Sequence, residues 1–286
     1  MPKQFNTAGP CQPDIHYLLS PTVRLPELVA LIDGRNYFII HAPRQVGKTT
    51  AMLALAQELT ASEQYTAVML SVEVGAPFSQ DPVAAEQAIL SEWQQSIRFR
   101  LPKELQPTQW PSFETRSLLS TFLSEWAATS PRPLVVFLDE IDSLQDEALI
   151  SILRQLRSGF PNRPQGFPHS LGLIGMRDVR DYKVKSGGSE GLRPASGYRL
   201  RPDFSDRLHT ASPFNIKAES LTLRNFNFEE VQELYQQHTE ATGQIFTPEA
   251  INHTFYLTDG QPWLVNALAR QATQVLVLLC FVGTGL

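Results

Sequence analysis

Residues 42–49 read Ala-Pro-Arg-Gln-Val-Gly-Lys-Thr, and this stretch decides the fold. The apolar run Tyr37-Phe38-Ile39-Ile40 precedes it, and the helix-forming run 51–56 follows it. A glycine-lysine-threonine loop between a strand and a helix is typical of a phosphate-binding loop. The backbone N–H groups of such a loop surround a polyphosphate, its lysine neutralises the outer oxygens, and its hydroxyl ligates magnesium. The stretch therefore predicts an α/β fold that binds a nucleoside triphosphate at one edge of its sheet.

Three residues of the loop carry the expected chemistry. Gly47 would allow the backbone to approach the phosphates, Lys48 would reach the β and γ oxygens, and Thr49 would bind Mg²⁺ at the N-terminal end of the next helix. Ala42 stands where this pattern usually has a glycine, and alanine conflicts with the loop only if its φ is positive. Pro43 has no N–H, so later residues must supply the backbone donors. The residues expected to contact the nucleotide are Ala42, Pro43, Arg44, Gln45, Val46, Gly47, Lys48, Thr49 and Thr50.

A second motif lies in residues 133–142, a continuous apolar run that ends in Asp139, Glu140 and Asp142. Such a run predicts a strand buried on both faces of a parallel sheet, with its acids at the carboxyl edge beside the phosphate loop. We expect Asp139 to hold Mg²⁺ through water and Glu140 to polarise a water aimed at the γ-phosphate. A glutamate at this place favours hydrolysis of the triphosphate over its transfer to a second substrate. Asp142 could equally be a first-turn acid of the following helix.

The composition excludes several classes of protein. The 286 residues carry 29 acids and 24 bases, and only 19% of the residues are charged, so no strongly basic surface indicates bulk nucleic-acid binding. Cys11 and Cys280 are too few for a disulfide framework or a zinc site, which fits a reducing cytoplasm. The first residues lack an apolar signal core, and no stretch of about 18 apolar residues predicts a membrane span. We expect a cytoplasmic protein without a membrane segment.

Changes of composition along the chain predict its domain organisation. Glycine and proline interrupt the beginning of the chain and again a long stretch before residue 216. Helix-start signals cluster after residue 225. Residues 275–282 are wholly apolar and lack the polar face of a terminal helix, which indicates a truncated gene or a missing C-terminal domain. The predicted segments are an irregular lead-in (1–22), an α/β core (23–224) with a mobile insertion (184–215), a helical region (225–272) and an apolar tail (273–286).

The predicted insertion contains arginines with the aromatic residues Tyr198 and Phe204 between them. A basic loop of this kind could clamp nucleic acid, a protein partner or a neighbouring nucleotide, or it could be a solvated loop. Nucleic-acid binding is therefore possible although the overall charge does not indicate it. The arginines of the insertion are Arg193, Arg199, Arg201 and Arg207.

The two motifs together carry a resemblance to a known family. Pro-Arg-Gln-Val-Gly-Lys-Thr-Thr at 43–50 and Leu-Asp-Glu-Ile-Asp at 138–142 resemble the motifs of AAA+ and STAND-type P-loop ATPases. More narrowly, they resemble the prokaryotic AAA-like ATPases grouped near the archaeal ATPases and origin-recognition proteins, over about residues 15–270. The resemblance implies a P-loop NTPase fold, a three-layer αβα sandwich with a mostly parallel five-stranded sheet, followed by a small helical lid at 225–272. It also implies ATP and Mg²⁺ as cofactors.

The resemblance also suggests roles outside the two motifs. Gly260-Gln261-Pro262 is similar to the glycine-x-proline signature of the STAND lid, in which Pro262 would begin a helix that faces the nucleotide. A plain turn between helices would look the same. Residues 171–176 look like the strand that ends in the first sensor of the family. Arg177 and Asp178 follow where the family usually has asparagine, threonine or serine, so Arg177 could contact the phosphate and Asp178 could belong to a surface ion pair.

Two further pairs of residues have alternative interpretations. In the resembled family the segment before the first strand often packs near the adenine, so Tyr17 and Arg24 could contact the base or could pack in the core. Arg154 and Arg157 lie on the helix predicted after the acidic pair. In AAA+ assemblies such an arginine can reach the γ-phosphate of a neighbouring subunit, whereas a solvated helix end also favours arginine.

The resulting hypothesis is an ATPase in which ATP binding and hydrolysis change the angle between the α/β core and the helical lid. The first alternative is a nucleotide-loaded signalling switch or scaffold with little turnover, as STAND proteins are. The second is a DNA-associated ATPase like the origin-recognition relatives. The partner would be an unknown protein or further copies of this chain.

Overall fold

The computed structural model describes residues 3–112, 117–176 and 219–275. Its strands are β1 (Tyr37–His41), β2 (Thr66–Ser71), β3 (Leu134–Asp139), β4 (Ser170–Gly175) and β5 (Ser220–Thr222). They form one sheet in the order β2-β3-β4-β1-β5, in which every neighbouring pair is parallel. The predicted five-stranded sheet is confirmed, and it is parallel throughout the described residues.

In the described residues, helices connect β1 to β2, β2 to β3 and β3 to β4. Parallel pairing requires such crossovers, because the chain must return to the end of the sheet at which each strand begins. The α-helices of the described residues are α1 (Pro21–Arg24), α2 (Glu27–Asp33), α3 (Lys48–Ala61), α4 (Pro82–Arg100), α5 (Leu118–Thr129), α6 (Asp146–Gly159), α7 (Phe228–Thr242), α8 (Pro248–Thr258) and α9 (Pro262–Arg270). Short 3-10 turns lie at Glu73–Phe78, Lys103–Leu105, Ile141–Ser143 and Phe160–Asn162, and a π-helical turn lies at Gln271–Val275. No helix in the described ranges is both long and apolar enough to cross a membrane.

Apolar side chains on both faces of the sheet form its two cores. β3 is buried along its whole length, and its side chains alternate between the faces because the period of a strand is two. On one face Leu138 belongs to a cluster with Trp93 of α4 and with side chains of α5 and α6. On the other face Phe137 belongs to a cluster with Met52 of α3 and with side chains of α2. The predicted three-layer αβα sandwich is confirmed.

The C-terminal helices (α7–α9) have an apolar cluster of their own. Asn227 and Glu230 form a capping box at the start of α7, and Thr247 caps α8. Phe5 and Tyr17 of the N-terminal segment (residues 3–20) are buried in this cluster, together with side chains of α7, α8 and α9. The predicted irregular lead-in is therefore packed on the C-terminal helices. Isolated aromatic residues give no periodic signal, so the sequence did not indicate this packing.

Several predicted features lie outside the described residues. They are the insertion at 184–215 with its arginines, the sensor candidates Arg177 and Asp178, and residues 276–286 of the apolar tail. These features stay predictions. The boundaries between the predicted domains also stay predictions.

The linker between β5 and α7 (residues 223–227) passes against the turn between α8 and α9. The N–H of Phe226 donates to the carbonyl of Gly260 at 2.9 Å. Gly260 has a φ of +66°, and a Cβ at this position would overlap the carbonyl oxygen of Phe226. Gln261 then caps α9, and Pro262 is its first residue. The Gly-Gln-Pro turn therefore needs its glycine both for the backbone conformation and for the close approach of the linker.

Gly260→Ala tests this close approach, with Gly243→Ala as its control. Both glycines have positive φ, so alanine is strained at either position by about 1–2 kcal/mol. Among the described residues no atom lies within 4 Å of a Cβ built at Gly243, whereas a Cβ at Gly260 overlaps Phe226. We expect Gly260→Ala to lower the free energy of unfolding by about 1–3 kcal/mol more than the control does. Urea denaturation followed by circular dichroism measures both losses, and equal losses would contradict the close approach.

Candidate nucleotide-binding site

The loop after β1 turns into α3 through residues in the left-handed region. Gln45 has a φ of +64°, and Gly47, which caps α3, has a φ of +89°. A glutamine in this region is uncommon, because its Cβ crowds the backbone. Ala42 is buried, and its φ is not positive. Alanine therefore replaces the usual glycine at the entry of the loop without backbone strain.

Lys48, the first residue of α3, folds back over the loop. Its Nζ donates to the carbonyl of Ala42 at 2.7 Å and to the carbonyl of Pro43 at 3.0 Å. Burial lowers the pKa of Lys48, and nearby carboxylates, with Asp139 the first of them, oppose this shift. The ammonium group is thus held against the loop, on the side that faces the acids of β3.

The two motifs meet at Thr49 and Asp139, which are 90 residues apart in the sequence. The Thr49 hydroxyl donates to Oδ2 of Asp139 at 2.8 Å, and the N–H of Glu140 donates to Oδ1 at 3.0 Å. Asp139 ends β3 and is only 3% exposed. Burial raises the pKa of Asp139, and the hydrogen bond from Thr49 opposes this shift without cancelling it. The hydroxyl of the loop and the carboxylate of the strand therefore lie together, as the sequence indicated.

Glu140 lies directly beyond β3 with a φ of +58°, and its side chain is exposed. Partial burial raises the pKa of Glu140, and the charges of Asp139 and Glu73 raise it further. Glu140 and Glu73 line one cavity together with Lys48 and Thr49. Two carboxylates, an ammonium group and a hydroxyl thus face the same space.

This cavity has a volume of about 510 Å³ and lies at the carboxyl edge of the sheet. Four of its residues were not expected from the sequence. Glu73 follows β2, so the rule that parallel strands end at one edge could have found it. Met176 follows β4 in the same way, whereas Gly9 and Pro10 belong to an irregular segment that no pattern connects to the sheet. The lining residues are Gly9, Pro10, Arg44, Gln45, Gly47, Lys48, Thr49, Thr50, Glu73, Glu140 and Met176.

The part of the chain that contains the phosphate loop and the acids of β3 matches a known protein family. The sequence model of the AAA domain matches residues 32–182, which is more than half of the chain. The chain belongs to the AAA domain family. The matched range contains the phosphate loop, Asp139 and Glu140, so the resemblance drawn from the two motifs is confirmed. Among curated proteins, no match to this chain was found.

Two solved structures share the fold of this AAA domain. The Walker-type ATPase PABY2304 of Pyrococcus abyssi superposes with a TM-score of 0.57 at 14% identity, covering 91% of this chain and 69% of that protein. Domain III of the Thermotoga maritima replication initiation protein DnaA superposes with a TM-score of 0.50 at 12% identity, covering 97% of this chain and 94% of that domain. Identities this low show a common fold and carry no residue assignments.

The AAA domain has a smaller pocket of about 60 Å³ beside the phosphate loop. Tyr17 and Arg24 both line it and both are buried, and the Tyr17 hydroxyl is hydrogen-bonded to Nδ1 of His238 at 3.1 Å. Pro262 and Asn266 of α9 line its other side. The pocket therefore lies between the N-terminal segment, the loop and the C-terminal helices. Its lining residues are Cys11, Tyr17, Leu18, Leu19, Arg24, Gly47, Thr50, Ala51, Phe226, Leu234, Pro262 and Asn266.

Asp142 and the two helix arginines lie outside the cavity of the AAA domain. Asp142 lies in the 3-10 turn after β3 and does not start the next helix, since α6 begins at Asp146. Its Oδ1 is buried without a partner among the described residues. Arg154 and Arg157 are exposed on α6. Whether either arginine serves a neighbouring subunit stays a prediction.

Asp139→Asn tests the effect of the buried carboxylate in the absence of ligands. The pKa of Asp139 is raised in the folded protein, so the folded state takes up a proton more readily than the unfolded state does. The ionised carboxylate therefore lowers the stability of the wild type above this pKa, and the effect disappears as the pH falls through it. The variant lacks this group. We expect the variant to be more stable than the wild type near neutral pH, and the difference to shrink as the pH is lowered.

Urea denaturation without nucleotide, near neutral pH and at about pH 5, measures this difference. Glu125→Gln is the control, because Glu125 is an exposed carboxylate of α5, and it should leave the stability nearly unchanged at both pH values. An Asp139→Asn variant that is less stable than the wild type near neutral pH would contradict the prediction. That result would mean that the hydrogen bonds from Thr49 and Glu140 outweigh the burial of the charge.

Proposed function

We propose that this AAA domain binds ATP together with Mg²⁺ and hydrolyses it, and that the cycle moves its C-terminal helices. The observation that carries the proposal is the 2.8 Å hydrogen bond between Thr49 and Asp139, because it joins the phosphate loop to the acidic end of β3. Lys48 and Glu140 line the cavity beside this contact. Triphosphate hydrolysis needs a cation on the phosphates, oxygen ligands for the metal and a group that orients water. These four residues supply all three.

Lys48 and the loop backbone would bind the phosphates. The Lys48 ammonium donates to two loop carbonyls, and phosphate oxygens accept such hydrogen bonds more strongly because they are charged. A triphosphate would therefore replace the carbonyls of Ala42 and Pro43 as the partner of Lys48. The first-turn N–H groups of α3 add a partial positive charge at the same place. Both effects favour an anion in front of the loop.

Thr49 and Asp139 would hold the Mg²⁺. Mg²⁺ prefers oxygen ligands and usually combines one or two protein groups with phosphate and water oxygens. The described part of the chain has no cluster of three histidine, cysteine, aspartate or glutamate side chains suited to a metal ion. A hydroxyl and a carboxylate at one point fit an ion that arrives with ATP. When bound, the ion neutralises charge on the phosphate oxygens.

Glu140 would orient the attacking water. Its carboxylate accepts a hydrogen bond from the water, the water oxygen attacks the γ-phosphorus, and the bond from that phosphorus to the bridging oxygen breaks. ADP leaves with the bridging oxygen, and the proton lost by the water is accepted by Glu140. The raised pKa of Glu140 makes this carboxylate a better proton acceptor than an ordinary glutamate.

The small pocket would receive the base. Its volume of about 60 Å³ is well below the roughly 300 Å³ at which ligand pockets usually begin, so a purine would have to move the walls. Pro262 and Asn266 of α9 belong to those walls. Entry of the base would therefore displace the C-terminal helices relative to the sheet. This displacement is the proposed movement of the helical lid.

Lys48→Ala should abolish ATP binding. The variant loses the cation on the phosphates, and we expect its affinity for ATP to fall by at least about 100-fold. Isothermal calorimetry with Mg²⁺ present measures the affinity. Lys103→Ala is the control, because Lys103 is exposed on a 3-10 turn and does not line the cavity. A folded wild type that takes up no ATP would refute the proposed function.

Glu140→Gln should keep ATP binding and stop turnover. Loss of one preorganised group in such a site typically adds about 3–4 kcal/mol to the barrier, so phosphate release should fall by a factor of hundreds. Glu147→Gln is the matched control, because Glu147 is an exposed acid of α6 that does not line the cavity, and its release rate should stay near the wild-type rate. Equal release by Glu140→Gln and the wild type would refute the role of Glu140. A wild type that binds ATP without measurable release would favour the nucleotide-loaded switch.

A further inference from the structure

Arg24 is a buried cation where the phosphate loop meets the linker to the C-terminal helices. It ends α1, and only 8% of it is exposed. Its Nη1 donates to the carbonyl of Val46 at 3.0 Å, and its Nη2 donates to the carbonyl of Arg224. The guanidinium group lies over the ring of Phe226, 4.9 Å from the centroid. One side chain thus binds the loop on one side and the linker on the other.

On the loop side, Arg24 lies against the residue pair at which the loop turns into α3. Val46 accepts its hydrogen bond, and a Cβ built at Gly47 would lie 3.7 Å from its Nη1. The first-turn N–H groups of α3 follow directly, and these are the donors expected to bind phosphate. A change in the direction of the Val46 carbonyl would therefore weaken its hydrogen bond with Arg24.

On the other side, the linker is attached to the C-terminal helices. The guanidinium of Arg224 donates two hydrogen bonds to the carboxylate of Glu230 on α7, at 2.7 and 2.8 Å. Glu230 also accepts from the N–H of Asn227 in the capping box. The N–H of Phe226 donates to the carbonyl of Gly260 in the turn before α9. A displacement of the linker therefore moves α7 and the α8–α9 turn with it.

The burial of Arg24 makes its partners interdependent. Burial lowers the pKa of Arg24 to about 10, and the charge of Glu230 opposes this shift. Nε of Arg24 has no partner among the described residues. The contacts with the two carbonyls and the Phe226 ring therefore compensate for the cost of removing the guanidinium from water. If either carbonyl moved away, a buried cation would lose part of that compensation. The positions of the loop and of the linker therefore stabilise each other.

We propose that Arg24 is a positioning residue that couples the phosphate loop to the C-terminal helices, so that a nucleotide bound at the loop changes the position of those helices. The proposal rests on the ATP binding proposed above. Arginine suits this role because its planar fork donates from two nitrogens in fixed directions, whereas lysine has a single ammonium group. Arg24→Lys keeps the charge, but its three donors all lie on one nitrogen, which cannot take the place of Nη1 beside Val46 and of Nη2 beside Arg224.

Hydrogen exchange with and without ATP and Mg²⁺ compares Arg24→Lys with the wild type. Arg163→Lys is the matched control, because Arg163 also donates to two backbone carbonyls and lies over aromatic rings, but at the opposite end of β1, beside Tyr37. We expect ATP to slow amide exchange in α7–α9 of the wild type and of the control. Arg24 lines the small pocket, so each protein is compared at an ATP concentration that calorimetry shows to saturate it. At saturation, Arg24→Lys should lose most of the ATP-dependent protection.

Full ATP-dependent protection of α7–α9 in Arg24→Lys would overturn the coupling and leave the proposed function intact. A wild type that binds ATP without any change of amide exchange in these helices would also overturn the coupling and leave ATP binding intact. A wild type that does not bind ATP would overturn both proposals. If Arg24→Lys does not fold, Phe226→Leu replaces it, because this change removes the ring under the guanidinium and leaves both carbonyls in the chain. Weakened protection in that variant at saturating ATP supports the coupling, and unchanged protection overturns it.

Discussion

The hydrogen bond between Thr49 and Asp139 depends on the order of the strands. β1 and β3 are not neighbours, since β4 lies between them, so the start of α3 must reach past the end of β4 to meet the last residue of β3. Gly175 ends β4, and a Cβ there would lie 2.9 Å from Oδ1 of Asp142. A larger residue would push apart the acidic turn and the strand beside it. The parallel order of the strands thus brings the Thr49 hydroxyl to the Asp139 carboxylate, and Gly175 leaves room for the acidic turn beside it.

Stability and the proposed chemistry place opposite demands on this edge of the sheet. Burial raises the pKa of Asp139, and burial and neighbouring carboxylates raise the pKa of Glu140, so the ligand-free protein is more stable when these groups take up protons. Metal binding and activation of water need the same groups ionised. Lys48 is affected in the opposite direction, because burial lowers its pKa. A bound triphosphate would place an anion beside Lys48, and its metal would place a cation beside the carboxylates. Both would therefore compensate the charges of Lys48, Asp139 and Glu140, which the ligand-free protein compensates only in part.

The sheet and the loop could be predicted from the sequence because each depends on a local pattern of apolar runs and loop residues. The contact between Thr49 and Asp139 could also be predicted, since parallel strands end at one edge. Gly9 and Pro10 could not be placed at the cavity, because the N-terminal segment has no periodicity that records where it packs. For Arg24 the sequence suggested base contact or core packing. Its hydrogen bonds to two backbone carbonyls were not predictable, because carbonyls are present at every residue and leave no pattern in the sequence.

Polar contacts join the C-terminal helices to the α/β core. Within the described residues, their apolar cluster includes the N-terminal segment, and neither cluster of the sheet contains a residue of α7–α9. These polar contacts include the hydrogen bonds of Arg24 to Val46 and Arg224, and a 3.1 Å hydrogen bond from the N–H of Cys11 to the Thr50 hydroxyl. A hydrogen bond is lost over a displacement of about an ångström. These contacts can therefore break or form while the apolar clusters of the sheet and of the C-terminal helices stay packed. Val46 and Thr50 belong to the loop expected to hold the phosphates. A nucleotide bound at this loop would therefore lie beside these hydrogen bonds and could change their geometry.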